Sequence, residues 1–230
     1  MQKPYLSIIT PTKNSIQFLE QCILSVLNQN YTNIEHVIID GLSNDGSYDL
    51  INKYRTQFTN RIRCISESDN GVGEAWNKGL KLAIGEIFGW LGADDTLFDN
   101  FEIEKVVDFF ESNPSEFFVH GGCEYIYHQG HTIGLHKPKE VTFYDLINIG
   151  NTIACPSAFY KREVINNVGN FDQKGNDLDF MIRVARNFRI TKIDFTLSKF
   201  RIHDKSQTTG RNNSVRRMWL QDDCKVSRSH

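Results

Sequence analysis

Short β-branched runs alternate with stretches whose apolar residues recur at helical spacing through the first 115 residues, and each run ends in a polar or acidic loop. YLSIITP at 5–11, IEHVIID at 34–40, RIRCIS at 61–66 and EIFGWL at 86–91 read as strands. Between them lie helical sets: Ile16, Leu19, Ile23, Val26 and Leu27, with Ser15 placed as a cap; then Tyr48, Leu50, Ile51 and Tyr54; then Ala75, Leu80, Leu82 and Ala83. A further helix is expected across Ile103 to Phe110. Strands joined by helices of this length require right-handed crossovers, so the expected fold is α/β, a Rossmann-like, mainly parallel sheet flanked by helices. Ligands bind such sheets beyond the carboxyl ends of the strands. Thr10, Pro11, Thr12 and Asn14, then Asp40, Asp69 and Asp94-Asp95, all stand at or just after strand ends, so four loops bring amides or carboxylates to one edge.

Past residue 115 the pattern changes to α+β. EFFVHGG, CEYIYHQ and HTIGLHK read as strands of a meander with Gly130 in a turn. Helices are expected at 142–149, 161–167 and 177–187, a strand near 190–195, and an amphipathic stretch from Val215 to Val226. No repeat or Pro/Gly/Ser linker separates these parts. The reading is one domain with a first half at 1–115, a smaller half at 116–210 and a basic segment at 211–230.

At 40% apolar and 23% charged over 230 residues the chain can bury one sizeable core, which excludes disorder. No run reaches the roughly 18 apolar residues of a membrane span. The start, MQKPYLSIITPTKN, does not read as a signal peptide, so the mature chain is expected to begin at Met1. Five cysteines, odd in number and without a CxxC pair, point to a reduced, cytoplasmic setting. The net charge of -2 conceals an asymmetry: residues 1–182 sum to -10 and residues 183–230 to +8. A basic end can meet anionic lipid, nucleic acid or a phosphorylated ligand; the absence of a recognisable motif and the acidic body leave nucleic acid the least supported.

Carboxylates converging on one site repel each other, and a cation is the usual resolution. Asp94 and Asp95, after an apolar strand, are placed to hold Mg²⁺ or Mn²⁺, which takes oxygen ligands and keeps positions open for phosphate oxygens; the plainer reading is that one of them caps the next turn. Asp40 is either a turn residue before Gly41 or an acceptor for a nucleobase imide. Gly71-Val72-Gly73 lacks the third glycine of a dinucleotide fingerprint, since position 76 is Trp76. Asp179 and Arg183 are spaced as a helix-stabilising pair, while Asp177 either complements the helix dipole or, aimed into the cleft, accepts a proton from an incoming hydroxyl. No G-x-S-x-G elbow supports a serine hydrolase.

Together these segments resemble a family 2 glycosyltransferase of the GT-A fold. The resemblance is carried by SIITPTKN at 7–14, SVLNQNY at 25–31, VIIDGLSNDGS at 37–47 and ESDNGVGEAWNKGLKLAIGEIFGWLGADD at 67–95. It continues through CPSAFYKREVINNVGNFD at 155–172, NDLDFMIRVA at 176–185 and FRIHDKS at 200–206. It implies that Thr10, Pro11 and Asp40 line the base pocket, with Thr12 and Asn14 in the same loop, and that Asp69 and Asn77 hold ribose and diphosphate. GADD resembles the family's D-x-D-D metal motif with Gly92 in the leading place, leaving Asp94 as the direct ligand, Asp95 as its support and His203 as a further member of the metal shell. NDLDF resembles E-D-x-D with Asn176 for glutamate, which makes Asp177 the general base.

The resemblance further implies an inverting transfer from a nucleotide-sugar donor, preferably a UDP-sugar, to a glycan or lipid-diphosphate-linked acceptor in cell-surface polysaccharide assembly. Acceptor recognition is expected around Asn151, Pro156 and Ser157. Arg211, Arg216, Arg217, Lys225 and Arg228, interleaved with Val215, Met218, Trp219 and Leu220, either pack on the body or touch the inner face of the cell membrane. A sugar nucleotidyltransferase fits less well, because TPTKNS lacks its glycine-rich basic signature. A non-catalytic nucleotide-sugar-binding protein would be free to lose the base or metal carboxylates, and both are present.

Overall fold

The computed structural model describes residues 5–172 and 175–204. β1 (Leu6–Thr12), β2 (Ile34–Asp40), β3 (Ile62–Ser66) and β4 (Ile87–Trp90) are linked by α1 (Ile16–Leu27), α2 (Ser47–Gln57) and α3 (Val72–Leu82). These four strands pair in parallel in the order β3-β2-β1-β4, with Ile9 level with Val37 on one side and Trp90 on the other. Their carboxyl ends therefore share one edge.

The chain then forms β5 (Thr96–Leu97) and α4 (Glu102–Ser112), followed by β6 (Phe118–Tyr127), β7 (Thr132–His136) and α5 (Phe143–Asn148). A single 3-10 turn at Cys155–Ser157 leads into β8 (Ala158–Lys161), α6 (Arg162–Val168), α7 (Asp177–Asn187) and β9 (Ile190–Ile202). β8 joins β4 to β6 by antiparallel pairing on both sides, β9 lies parallel to β6, and β5 and β7 add antiparallel edges, making one nine-stranded sheet.

Two expectations need correcting. The sequence around Gly121-Gly122 suggests a break between two strands, yet β6 runs straight through it. The register against β9 shifts at His120/Gly122 and Gly122/Cys123, so the glycines mark a bulge inside a long strand. β9 reaches Ile202 rather than stopping near 195, which carries the FRIH segment along the sheet to the β4 loop. The stretch expected at 215–226 lies outside the described residues.

Alternation along the central strands sorts the core into layers. Ile9, Val37 and Ile39 face α3, Trp90, Phe171 and Phe180; Leu6 and Ile8 face Val26, Val107 and Phe110; Ile38 meets Leu19, Ile23 and Ile51. All seven residues of β2 are buried, polar ones included. Glu35 accepts from the Ser7 hydroxyl at 2.6 Å and the Ile84 N–H at 2.7 Å, and meets Arg63 Nε at 2.7 Å; His36 pairs with the Thr10 hydroxyl at 2.8 Å. Burial without such partners would cost several kcal/mol per group, by rough transfer scales.

Candidate active site

At the β1 and β2 end of the edge, Asp40 is fully buried, and its Oδ2 accepts from the Ser66 hydroxyl at 2.6 Å and the Ser43 N–H at 3.2 Å. Gly41 follows, where an added Cβ would lie 2.7 Å from Asp69 Oδ2 and 3.3 Å from Lys13 Cδ. A side chain here would collide with the carboxylate, so glycine lets the Asp69 loop and Lys13 close over this end. Asp69 Oδ1 accepts from the Gly71 N–H at 3.0 Å at the start of α3. Asn14, in the left-handed region at φ 52, ties two loops together: its Oδ1 accepts from the Asn44 N–H at 2.9 Å and its N–H donates to the Ser43 hydroxyl at 2.8 Å. Pro11 is half-buried, and Thr12, level with Asp40 in the sheet, is buried. Thr10 lies wholly inside on His36. Asn77 uses both ends of its amide on the Phe171 backbone, donating to its carbonyl at 2.9 Å and accepting from its N–H at 3.0 Å. Thr10 and Asn77 thus support the loops from beneath.

At the β4 end, the turn after Trp90 turns Asp94 and Asp95 back over Gly92. A Cβ at Gly92 would sit 2.8 Å from Asp94 Oδ1 and 2.7 Å from Asp95 Oδ2, so the glycine in the leading place of the motif clears the space that both carboxylates occupy. Asp94 Oδ2 meets His203 Nε2 at 2.9 Å, bringing together residues 109 apart in sequence. Asp95 is 4% exposed, and burial, reinforced by the Asp94 charge, pushes its carboxyl well above the usual carboxylate range. Opposing that push, its Oδ1 accepts from the Arg201 N–H at 2.8 Å.

Arg201 is the residue the sequence reading missed. Only 2% exposed, it donates from Nε to the Asp94 carbonyl at 2.8 Å, from Nη1 to the His128 carbonyl at 3.0 Å and from Nη2 to Gln21 Oε1 at 2.7 Å. Its guanidinium lies 4.8 Å from the centre of the Phe18 ring, and the same ring packs 4.8 Å from that of His203. One signal was available: the strand period of two puts Arg201 and His203 on the same face.

Asp177 opens α7, whose first turn is capped by the Asn176 side chain accepting from the Asp179 N–H at 3.3 Å. Asp177 Oδ2 accepts from Asn151 Nδ2 at 3.0 Å and from the Cys155 thiol at 3.1 Å. Asp179 pairs with Arg183 Nε at 2.9 Å, the helix contact its spacing suggests. Burial first, then the Asp177 charge, and more weakly that of Asp95, hold the Cys155 thiol far above its ordinary range. The thiol thus feels carboxylates from both segments. Pro156 and Ser157 face inward; the Ser157 hydroxyl donates to the Gly122 carbonyl at 2.7 Å and shares a 2.6 Å hydrogen bond with Ser198 of β9.

Among the described residues, no group of three or more His, Cys, Asp or Glu forms a ready metal cage. The donor set nonetheless suits an ion completed by its ligand. Two carboxylates crowd one space, one of them desolvated, beside an imidazole, and Mg²⁺ or Mn²⁺ is commonly held by one or two carboxylates plus substrate phosphates. β2 and β4 flank β1, so the strand ends bearing Asp40 and the Asp94 turn stand two strand spacings apart, about 10 Å. Among the described residues no helix is long and apolar enough to cross a membrane.

An uncharacterized glycosyltransferase of Rickettsia typhi is 28% identical over 221 residues, 90% of this chain and 66% of that protein. One from Rickettsia conorii is 30% identical over 87% of this chain and 34% of its own length, so the chain spans between about a third and two thirds of these relatives. A PGL/p-HBAD biosynthesis glycosyltransferase of Mycobacterium bovis is 28% identical over 81% of this chain and 72% of its own. Among solved structures, S. aureus TarS 1-349 in complex with UDP-GlcNAc superposes with a TM-score of 0.71 at 19% identity, covering 93% of this chain and 65% of that one. The mannosyltransferase PcManGT from Pyrobaculum calidifontis, in complex with GDP-Man and Mn²⁺, gives 0.70 at 18% identity over 100% and 66%. The model of glycosyl transferase family 2 matches residues 7–169, and with the GT-A architecture of its structural neighbours the chain belongs to that family.

Proposed function

We propose that this chain catalyses inverting, divalent-metal-dependent transfer of a sugar from a nucleotide-sugar, preferably a UDP-sugar, to a hydroxyl of a glycan or lipid-linked acceptor in surface polysaccharide assembly. The observation that carries the reading is the joining of Asp94 to His203 at 2.9 Å, with Asp95 beside them, on the sheet edge that also bears Asp40 and Asp69. In this reading Asp40 and the Pro11–Asn14 loop receive the base, Asp69 the ribose, and Asp94, Asp95 and His203 hold the ion. A bound Mn²⁺ or Mg²⁺ supplies positive charge to the diphosphate leaving group. The protein's own residues do the rest. His203 fixes the Asp94 carboxylate, and Arg201 fixes the turn that carries it. Asp177 takes the proton of the acceptor hydroxyl as that oxygen attacks the anomeric carbon; the bond to the diphosphate oxygen breaks in the same displacement, so configuration inverts. Ser7, hydrogen-bonded to Glu35, is sealed in the core, and the Ser157 hydroxyl is spent on the Gly122 carbonyl and Ser198, which agrees with a route that needs no covalent intermediate.

The UDP-GlcNAc and GDP-Man complexes of the structural neighbours support a nucleotide-sugar donor. We place the reaction in the cytoplasm or at the inner membrane face, with the basic 211–230 segment as the membrane contact. The test is a thermal-shift screen of UDP-GlcNAc, GDP-mannose and related donors with and without Mn²⁺. At a hundred times Kd a donor stabilises by about 2.7 kcal/mol, or roughly 5–10 °C here. The reading requires such a shift with metal and its loss with EDTA; no donor shifting the transition under either condition refutes it.

A further inference from the structure

Asp177 Oδ2 receives two donors, Asn151 Nδ2 at 3.0 Å and Cys155 Sγ at 3.1 Å. Neither donor is loosely placed. Asn151 Oδ1 accepts from the Ile153 N–H at 2.9 Å, which orients the amide so that its NH₂ faces the carboxylate. Cys155 opens a 3-10 turn with Pro156 behind it and Ser157 pinned to Gly122 and Ser198, so its Sγ is set by the sheet. Gly150, at φ 103, takes the backbone through the bend that precedes Asn151. The residue assigned to the acceptor on sequence grounds, Asn151, thus has both ends of its amide engaged within the protein.

We propose that Asn151 and Cys155 are positioning residues that lock Asp177 through Oδ2 and leave Oδ1 as the single oxygen that takes the acceptor proton. The proposal rests on Asp177 being the base of the transfer. A carboxylate free to rotate offers either oxygen in many orientations, and proton transfer requires one within hydrogen-bond reach of the attacking hydroxyl. Two donors on one oxygen remove that freedom and leave Oδ1 to meet the incoming hydroxyl. The thiol suits this task because its burial beside Asp177 keeps its proton on sulfur, where it is available to donate. It is neither nucleophile nor metal ligand here.

The experiment measures donor turnover, with water or an added acceptor, on the nucleotide-sugar identified by the stabilisation screen, in wild type, Cys155→Ala, Cys155→Ser, Asn151→Ala and Asp177→Asn. Cys155→Ala and Asn151→Ala are expected to lower kcat about ten- to a hundredfold with the donor KM and the metal-dependent thermal shift unchanged. Cys155→Ser, which restores an O–H donor, should recover most of the loss. A fall in kcat matched by a fall in Tm and not rescued by serine would mean a packing role and overturn the proposal, as would wild-type kcat in both alanine variants. Asp177→Asn separates the two ideas: if it retains wild-type turnover, the base assignment fails; if it is dead while Cys155→Ala and Asn151→Ala are unimpaired, only the positioning proposal fails.

Discussion

Replacing Arg201 by methionine keeps an unbranched apolar stem as far as the position of Nε and removes the guanidinium beyond it. Its guanidinium serves the Asp94 and His128 carbonyls and Gln21 Oε1 at 2.7–3.0 Å, with a longer contact to the Tyr127 carbonyl at 3.3 Å, and covers the Phe18 ring. Breaking a buried charged partner away from its acceptors costs about 3–5 kcal/mol, each orphaned acceptor accounting for about 1–3 before water relieves it. Burial already pulls the Arg201 guanidinium below its ordinary range, which returns part of that cost when the charge is deleted and favours the lower end of the estimate. For a chain of this size each kcal/mol moves the transition by roughly 2–4 °C, so Arg201→Met should lose roughly 6–12 °C by thermal unfolding. A second loss is expected at the site itself. Without the fork that fixes the Asp94 carbonyl and the positive charge facing both carboxylates, Mn²⁺-dependent donor stabilisation should fall even where the protein remains folded. Arg201→Lys, with charge but no planar fork, should recover less than half of either loss. A variant within 2 °C of wild type that keeps its full donor shift would refute the argument that this arginine builds the centre.

Gly92→Ala places a methyl group 2.7–2.8 Å from the carboxylate oxygens of Asp94 and Asp95, so calorimetry should show metal-dependent donor binding weakened at least tenfold, with the fold retained by circular dichroism. Acid sensitivity follows from two buried imidazoles, His36 held down to about 3 and His120 to about 4, both chiefly by burial. The unfolded chain takes up protons below about 6.5 that these groups refuse in the native state, so stability present above that value is lost as pH falls toward 4, about 2 kcal/mol each between pH 7 and 5. Asp95, raised by burial, acts in the opposite sense and offsets part of this; denaturant titrations at pH 7 and 5 should show a net loss, reduced by about half in His120→Gln. Asp177→Asn should abolish turnover while leaving the donor-induced thermal shift intact.

How far the residues disclosed this molecule depended on whether their neighbours in sequence were also their neighbours in space. β2 at 34–40 and α7 at 177–187 fall where periodicity and capping residues put them, because a β-branched run between turns and an Asn-Asp start carry their own signals. The glycine pair at 121–122 misled for the opposite reason: what β6 does there is set by β9, about 75 residues later. Within the site, alternation is uninformative along β1 and β2, which are covered on both faces, so nothing local says that Thr10 points inward to His36 while Asp40 reaches the strand end. Asp94, Asp95 and Asp177 stand after a strand and at a helix start, where carboxylates are ordinary caps, so the roles expected of them came from the resemblance of GADD and NDLDF to family motifs. Arg201 and Cys155 were not. Each matters through partners on other elements, a turn beyond β4 for one and a helix start for the other.

Whether Asp94 and Asp95 hold a divalent ion against a donor's diphosphate can be seen by diffraction. Crystals of the full chain grown with Mn²⁺ and UDP, measured at the manganese edge, should give an anomalous peak about 2.1 Å from an Asp94 carboxylate oxygen with diphosphate oxygens completing the shell. A manganese peak elsewhere, or UDP bound with Asp94 still joined only to His203, would contradict it.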